Sequence, residues 1–197
     1  MNRKQALLLY LSGTFGQILL VSLLVWLLRA GEVRVDYGTP IGLFTLMLGG
    51  LSSAIWGAII SIRYHHSSFK QLVRDFFQVK QAPLNYLLVL IFIGLDFLPQ
   101  VFSGEMIIPT WYLPIILFVK ALVFGGIEEI GWRHFFQPTL QEKLTYLVST
   151  LCTFVAWSLW HLLYFYIDGS LARIHLLPFL LGLLSNCFIL SAIYTKT

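Results

Sequence analysis

The chain has 197 residues, of which 58% are hydrophobic and only 11% are charged, and its mean hydropathy is +0.81. This composition is too apolar for an ordinary soluble domain and predicts an integral membrane protein whose surroundings are the lipid bilayer. The formal charge of +4 does not indicate nucleic-acid binding, because the basic residues lie between apolar segments and form no patch. We therefore expect one all-α, polytopic transmembrane helical bundle over residues 1–197.

The apolar segments follow one another in chain order, and about six crossings of roughly 20 residues fit this length. The first segment is longer than the apolar core of a secretory signal peptide, so we interpret it as a retained span. An amphipathic segment, Phe135–Tyr146, is expected at the cytoplasmic surface. The predicted spans are Ala6–Leu28, Ile41–Ile62, Leu84–Phe102, a fourth from near Tyr112 into the glutamates described below, Leu147–Ile167 and Ile174–Tyr194.

The charges of the loops predict the orientation of these spans. Nine Lys and Arg residues outside the spans fall on one side of the predicted layout and three on the other. Because cytoplasmic loops carry the excess of positive charge, the chain is expected in the cell membrane with both termini in the cytoplasm. Small residues in the middle of the second span, among them Ser53 and Gly57, would let another helix approach closely.

The stretch Gly125–Pro138, GGIEEIGWRHFFQP, places two glutamates directly after an apolar segment. Ionisable groups at membrane depth are costly, so they usually face a bundle interior and mark a site. Glu129 and Arg133 are i,i+4 neighbours on one helix face, whereas Glu128 points elsewhere and has no local partner. Two interpretations are open for the motif by itself: a general base at Glu128, or a solvated acidic helix end with an ion pair to Arg133.

His161 lies deep in the predicted fifth span. A histidine there can be a packing residue, a metal ligand or a donor to an oxyanion. With Glu128 it could flank a water molecule and a substrate carbonyl. The chain has no His-Glu-x-x-His zinc signature, so a thermolysin-type site is not predicted.

The remaining ionisable and thiol groups favour structural interpretations. Asp96 and Lys120 are more typical of an interhelical salt bridge or of a snorkelling lysine than of catalysis. His65 is expected to be solvated in a basic loop. Cys152 and Cys187 lie inside apolar segments, and we infer neither a disulfide nor a thiol metal site.

The motif GGIEEIGWRHFFQPTL, followed about thirty residues later by AWSLWHLLYF, resembles the CPBP family of intramembrane proteases, which includes CAAX prenyl endopeptidases and the bacteriocin-processing or immunity-associated Abi proteins. The similarity covers residues 113–197. It implies that Glu128 activates water and that Glu129 and Arg133 support it. It also implies that His161 either stabilises the oxyanion or binds a divalent metal such as zinc, for which Glu128 is a candidate second ligand.

A third motif of the family pattern, His-x-x-x-Asn, is not found in these 197 residues. Relatives continue past a segment like the last residues of this chain into a helix with a His-x-x-x-Asn motif, which leaves a truncated chain or a degenerate member as interpretations. Neither His175 nor Asn186 has the spacing to replace that motif. The leading hypothesis is therefore an endopeptidase of the CAAX-processing or bacteriocin-processing type with an incomplete site.

Two other functions stay open at this point. A non-catalytic membrane protein, such as a bacteriocin self-immunity factor that binds a peptide or a partner, would have the same fold. A proton-coupled transporter that uses Asp96, Lys120 and Glu128 is the third hypothesis. The sequence does not distinguish a prenylated peptide from a bacteriocin leader as the substrate. One histidine and two glutamates do not establish that a metal cofactor is bound.

Overall fold

A computed structural model of the chain describes residues 1–36, 38–102, 112, 115, 119 and 125–196, and this described part is helical without a strand. The predicted all-α membrane bundle is therefore confirmed. The elements are α1 (Arg3–Ala30), α2 (Pro40–Gly50), α3 (Ser52–Tyr64), α4 (Phe69–Phe76), α5 (Pro83–Phe102), α6 (Ile127–Glu129), a π-helix (Ile130–Phe136), α7 (Gln137–Gln141), α8 (Tyr146–Asp168), a 3₁₀ turn (Leu171–Arg173) and α9 (Leu176–Lys196).

Four segments among the described residues are long and apolar enough to cross a membrane, and they match the predicted first, second, fifth and sixth spans. The second is interrupted at Leu51, directly after Gly49 and Gly50, so that α2 and α3 form one crossing from two helices. The predicted third span coincides with the 20-residue helix α5. Most of the predicted fourth span lies outside the described residues, and the count of six spans stays a prediction.

Local sequence signals determine where α8 begins and ends. Its first turn is capped by Thr145, whose hydroxyl accepts a hydrogen bond from the Val148 amide. Its last turn ends at Gly169, which has a φ of +81°, in the left-handed region that glycine adopts without a Cβ penalty. The guanidinium of Arg29 on α1 donates hydrogen bonds to the carbonyl oxygens of Tyr166 (2.8 Å) and Ile167 (3.0 Å). These bonds anchor the end of α8 to α1.

The π-helix packs directly against α3 because both helices carry a glycine at their contact. A Cβ on Gly57 would collide with the backbone of Gly131, and a Cβ on Gly131 would lie 2.6 Å from the Tyr10 hydroxyl oxygen and would collide with Ser53. This confirms the prediction that small residues in the second span let another helix approach closely.

The segment predicted as a surface amphipathic helix, Phe135–Tyr146, differs from that expectation. Phe135 is fully buried and Leu140 is 8% exposed, because this segment continues the π-helix into the bundle before the chain turns outward. Only the turn after α7, which contains Glu142 and Lys143, is exposed. Helical periodicity in the sequence identified a helix but not which of its faces the neighbouring spans would cover.

Candidate active site

The glutamate stretch folds as one helix whose hydrogen-bond pattern changes along its length. Residues 127–129 are α-helical and residues 130–136 form a π-helix. π-helical turns are rare and often occur at functional sites. The carbonyl oxygen of Glu128, just before the π-helix, accepts a hydrogen bond of 2.9 Å from the Ser53 hydroxyl, which in turn lies 3.1 Å from the Tyr10 hydroxyl. Helices α1 and α3 thus hold the backbone that carries the glutamates.

Glu128 is 7% exposed and lines a cavity of about 480 Å³. His161, on the next described span, lines the same cavity. The structure therefore brings together the two residues that the sequence analysis identified as candidates. They lie on different helices and are 33 positions apart in the sequence. A buried carboxylate facing a cavity fits the interpretation of a site better than that of a solvated acidic helix end.

The imidazole of His161 is oriented by its own helix. Its Nδ1 atom lies 2.9 Å from the carbonyl oxygen of Trp157, one turn earlier. Because a carbonyl oxygen only accepts hydrogen bonds, Nδ1 carries the proton, and Nε2 of the neutral ring presents a lone pair. In this tautomer Nε2 can accept a hydrogen bond from water or bind a metal, but it cannot donate to an oxyanion.

Aromatic rings surround this imidazole. Trp157 and Trp160 contact it edge to face with ring centroids 5.2 Å and 5.1 Å away, and Phe179 on α9 contributes a third ring at 5.7 Å. The indole N–H of Trp160 donates a hydrogen bond of 2.9 Å to the Ser52 hydroxyl on α3. Aromatic rings therefore pack around the imidazole of His161, which also lines the cavity.

The predicted ion pair between Glu129 and Arg133 is present, with 3.0 Å between the Glu129 Oε2 and Arg133 Nε atoms. Arg133 is only 1% exposed, so this guanidinium is a buried charge. Its Nη1 donates hydrogen bonds to Gln137 Oε1 (2.8 Å) and to the Cys187 sulfur on α9 (3.3 Å). A buried cation with several partners fixes the geometry around it because any rearrangement would leave it unpaired.

Arg133 also links the glutamate helix to the histidine helix. Its guanidinium carbon lies 4.8 Å from the centre of the Trp157 ring, a cation–π contact. The Trp157 ring in turn contacts the His161 ring, and the backbone carbonyl oxygen of Trp157 accepts a hydrogen bond from the Nδ1–H of His161. One tryptophan thus couples the position of the arginine to the position of the imidazole.

Sequence reasoning missed the polar network behind Arg133. Gln137 is 3% exposed, accepts a 2.9 Å hydrogen bond from the Ser191 hydroxyl, and donates a 3.3 Å bond to the Thr150 hydroxyl. These residues join α7, α8 and α9 around the cation. The spacing of Gln137, four residues after Arg133, was the available signal, since i,i+4 pairs meet on one helix face.

Sequence reasoning also set aside Asn186, which lines the cavity with Glu128 and His161. Its spacing does not match the His-x-x-x-Asn motif that the family resemblance leads us to expect, but its neighbours on α9 do repeat at helical intervals. Phe179, Gly182 and Leu183 line the same cavity. An i, i+3, i+4, i+7 pattern that ends in a polar side chain would have identified it.

Other expectations have mixed outcomes. Lys120 and the side chain of Asp96 lie outside the described residues, so their predicted roles stay predictions. Both cysteines are free; Cys187 is buried, as a cysteine in an apolar segment is expected to be, whereas Cys152 is exposed. His65 is exposed, as expected, and its Nε2 lies 3.3 Å from the Thr139 hydroxyl oxygen.

The cavity brings two possible metal ligands together, the carboxylate of Glu128 and Nε2 of His161. Catalytic zinc sites typically have three protein ligands and one open position. Within the described ranges, no three His, Cys, Asp or Glu side chains cluster closely enough to bind an ion. The described residues by themselves therefore do not make up a zinc site, and we derive no catalytic step through a metal.

Comparison with known proteins identifies a similar family. Residues 109–197 match the family model of the type II CAAX prenyl endopeptidase Rce1-like proteins. The chain is also 25% identical to CAAX prenyl protease 2 of Methanococcus maripaludis over 82% of its own length and 64% of the length of that relative. No solved structure matches the chain. These matches confirm the predicted resemblance to the CPBP proteases, and the chain spans about 64% of the curated relative's length.

Proposed function

We propose that this chain, whose residues 109–197 match a family of CAAX prenyl endopeptidases, hydrolyses a peptide bond within or at the surface of a membrane. The observation that carries the proposal is the cavity that Glu128 and His161 line together from two different helices. A general base and a second polar group that face one cavity are the minimum arrangement for adding water to an amide.

Glu128 is the general base of the proposed reaction. Its carboxylate takes a proton from a water molecule in the cavity as the water oxygen bonds to the carbonyl carbon of the substrate. The carbonyl π electrons move onto oxygen and give a tetrahedral intermediate with an oxyanion. The intermediate collapses with cleavage of the C–N bond, and the protonated Glu128 returns its proton to the leaving amine.

His161 orients the attacking water in this proposal. With Nδ1–H held by the Trp157 carbonyl, Nε2 accepts a hydrogen bond from the second hydrogen of the water. The sequence left open an oxyanion donor or a metal ligand at this position. The tautomer supports a lone-pair role over the oxyanion role. If a divalent ion binds with ligands beyond those described, Nε2 is the atom that would hold it and the ion would acidify the water.

Glu129 and Arg133 act as positioning residues in the proposed reaction. Glu129 offsets the charge of Arg133, and Arg133 packs on Trp157, next to His161. These contacts hold the helix that carries the glutamates against the helix that carries His161. A misplacement of about 1 Å in a catalytic group can cost roughly 100-fold in rate, so a rigid surrounding network supports catalysis.

The substrate class follows from the comparisons and from the membrane fold. A prenylated C-terminal peptide is our first candidate, because the matched family and the curated relative both carry the CAAX name. A bacteriocin leader peptide is the second. The lipid bilayer would concentrate either substrate next to the cavity. We place the chain in the cell membrane with both termini in the cytoplasm, following the excess of basic residues in the loops on one side.

The test is a single isosteric substitution, Glu128→Gln, which keeps the shape of the side chain and removes the base. The protein is purified, reconstituted into vesicles and assayed with fluorescent prenylated and unprenylated peptides. We expect cleavage to fall by about 10²–10⁴-fold, the usual contribution of a general base. Glu142→Gln is the matched control, because Glu142 is an exposed residue outside the cavity that bonds to Tyr64.

The outcome distinguishes the enzyme from the alternative. If wild-type protein cleaves and Glu128→Gln cleaves equally well, Glu128 is not the base and the proposed mechanism is wrong. If no peptide is cleaved but a bacteriocin-resistance phenotype survives Glu128→Gln, the chain acts as a non-catalytic binding protein instead.

A further inference from the structure

We infer that Asn186 is a further catalytic residue, which donates a hydrogen bond from its side-chain amide to the oxyanion of the tetrahedral intermediate. This inference rests on the function proposed above. It assigns a role to a residue that the family-like motifs do not include, and it follows from the position, exposure and chemistry of that residue.

The position of Asn186 follows from the helical repeat of α9. Phe179, Gly182, Leu183 and Asn186 recur at i, i+3, i+4 and i+7, and all four line the cavity that contains Glu128. A Cβ on Gly182 would meet no atom within 4 Å, so the cavity is open one turn before Asn186. A substrate peptide could enter there and pass the amide.

The exposure of Asn186 needs an explanation in a membrane protein. It lies in the middle of the span Leu176–Tyr194, where an amide facing hydrocarbon is unfavourable. The side chain is exposed, and it hydrogen-bonds to none of the described residues. Other polar side chains of α9 are satisfied: the Ser185 hydroxyl donates to the Leu181 carbonyl at 3.0 Å. An unpaired amide in the cavity is therefore available to a ligand.

The chemistry of the site requires a donor in this region. The oxyanion needs N–H or O–H groups. The buried indole N–H of Trp157, which lines the cavity and has no hydrogen-bond partner among the described residues, is one available donor. The N–H groups of two neighbouring side chains are already used. His161 donates Nδ1–H to the Trp157 carbonyl, and Trp160 donates its indole N–H to the Ser52 hydroxyl. The Asn186 amide has two N–H donors and lies on α9, across from the helix that carries Glu128.

In the proposed addition of water, Asn186 stabilises the charge that develops on the carbonyl oxygen. As water adds to the carbonyl carbon, Glu128 accepts the proton and the carbonyl oxygen gains the electron pair of the former π bond. An N–H of Asn186 donates to that oxygen and keeps its own proton throughout. When the C–N bond breaks, the electron pair returns to the carbonyl and the hydrogen bond to Asn186 weakens. Such a donor acts more strongly on the transition state than on the bound substrate.

The experiment compares Asn186→Ala and Asn186→Asp with the control Ser185→Ala in reconstituted protein. Asn186→Asp keeps the shape and replaces the donor by an acceptor, while Ser185→Ala changes the adjacent residue, which does not line the cavity. We expect kcat to fall by about 10²–10³-fold in both Asn186 variants with KM changed by less than about threefold, as for loss of an oxyanion donor. Ser185→Ala should retain wild-type kcat.

The readouts separate this inference from the proposed function. Equal kcat in Asn186→Ala and wild type, with Glu128→Gln inactive, overturns the role of Asn186 and leaves the peptidase standing. A rise in KM at constant kcat also overturns it, because it shows ordinary substrate binding. Retained cleavage in Glu128→Gln overturns the mechanism itself. Thermal unfolding of each variant checks that the loss of kcat is not a loss of fold.

Discussion

The contact between Gly57 and Gly131 predicts that one added methyl group separates the glutamate helix from α3. In Gly131→Ala, the new Cβ would collide with the Ser53 backbone carbonyl and would lie 2.6 Å from the Tyr10 hydroxyl. The carbonyl belongs to the backbone of α3 and cannot rotate away. The two helices therefore have to move apart, and the Ser53 hydrogen bond to the Glu128 carbonyl is stretched.

The magnitude follows from three contributions. Overpacking a tight contact costs about 1–3 kcal/mol. Loss of the Ser53 hydrogen bond destabilises the protein by about 1 kcal/mol more. The higher helix propensity of alanine offsets up to about 1 kcal/mol of this destabilisation. The net expectation is a free energy of unfolding lower by about 1–4 kcal/mol. Gly16→Ala is the matched control, because a Cβ there meets no atom within 4 Å, and it should be neutral or stabilising by up to about 1 kcal/mol.

Equilibrium unfolding of both variants in mixed detergent micelles measures this difference. Wild-type stability in Gly131→Ala, within error of Gly16→Ala, would refute the inference that the π-helix and α3 are in backbone contact. A destabilised Gly131→Ala that keeps full peptidase activity would instead show that the catalytic geometry tolerates the helix movement.

Two further predictions concern Arg133 and His161. Arg133→Met should destabilise the protein by about 3–5 kcal/mol, since it leaves the largely buried Glu129 carboxylate without its ion-pair partner and removes one of the donors to the Gln137 amide oxygen. Arg133→Lys should not restore the loss, because a lysine cannot keep the same set of directed hydrogen bonds; unfolding that matches wild type in the lysine variant would contradict this. For His161, we expect cleavage to persist after dialysis against a chelator and to be lost in His161→Ala, as a water-orienting role requires. Chelator-sensitive activity restored by zinc, with a metal content that falls in His161→Ala, would establish a metal-ligand role instead.

The elements of this protein were largely predictable because they depend on local sequence. Long apolar segments determine the spans at Arg3–Ala30 and Tyr146–Asp168, and an i,i+4 spacing determines the pair of Glu129 and Arg133. Buried ionisable groups are costly in a membrane, so two glutamates after an apolar run already indicated a site. The family-like motifs added His161 as the second member.

The tertiary structure decided what the local pattern leaves open. Which face of residues 135–140 is buried depends on α1 and α3 packing over it, and a helical period is the same whichever neighbour covers it. The tautomer of His161 depends on the Trp157 carbonyl, and the surroundings of Arg133 depend on residues 54 positions further along the chain. Asn186 reaches the cavity of Glu128 only because α9 packs beside α8. The spacing of residues on one helix can be read from the local sequence. Which residues of two helices come into contact depends on how all the side chains between those helices pack.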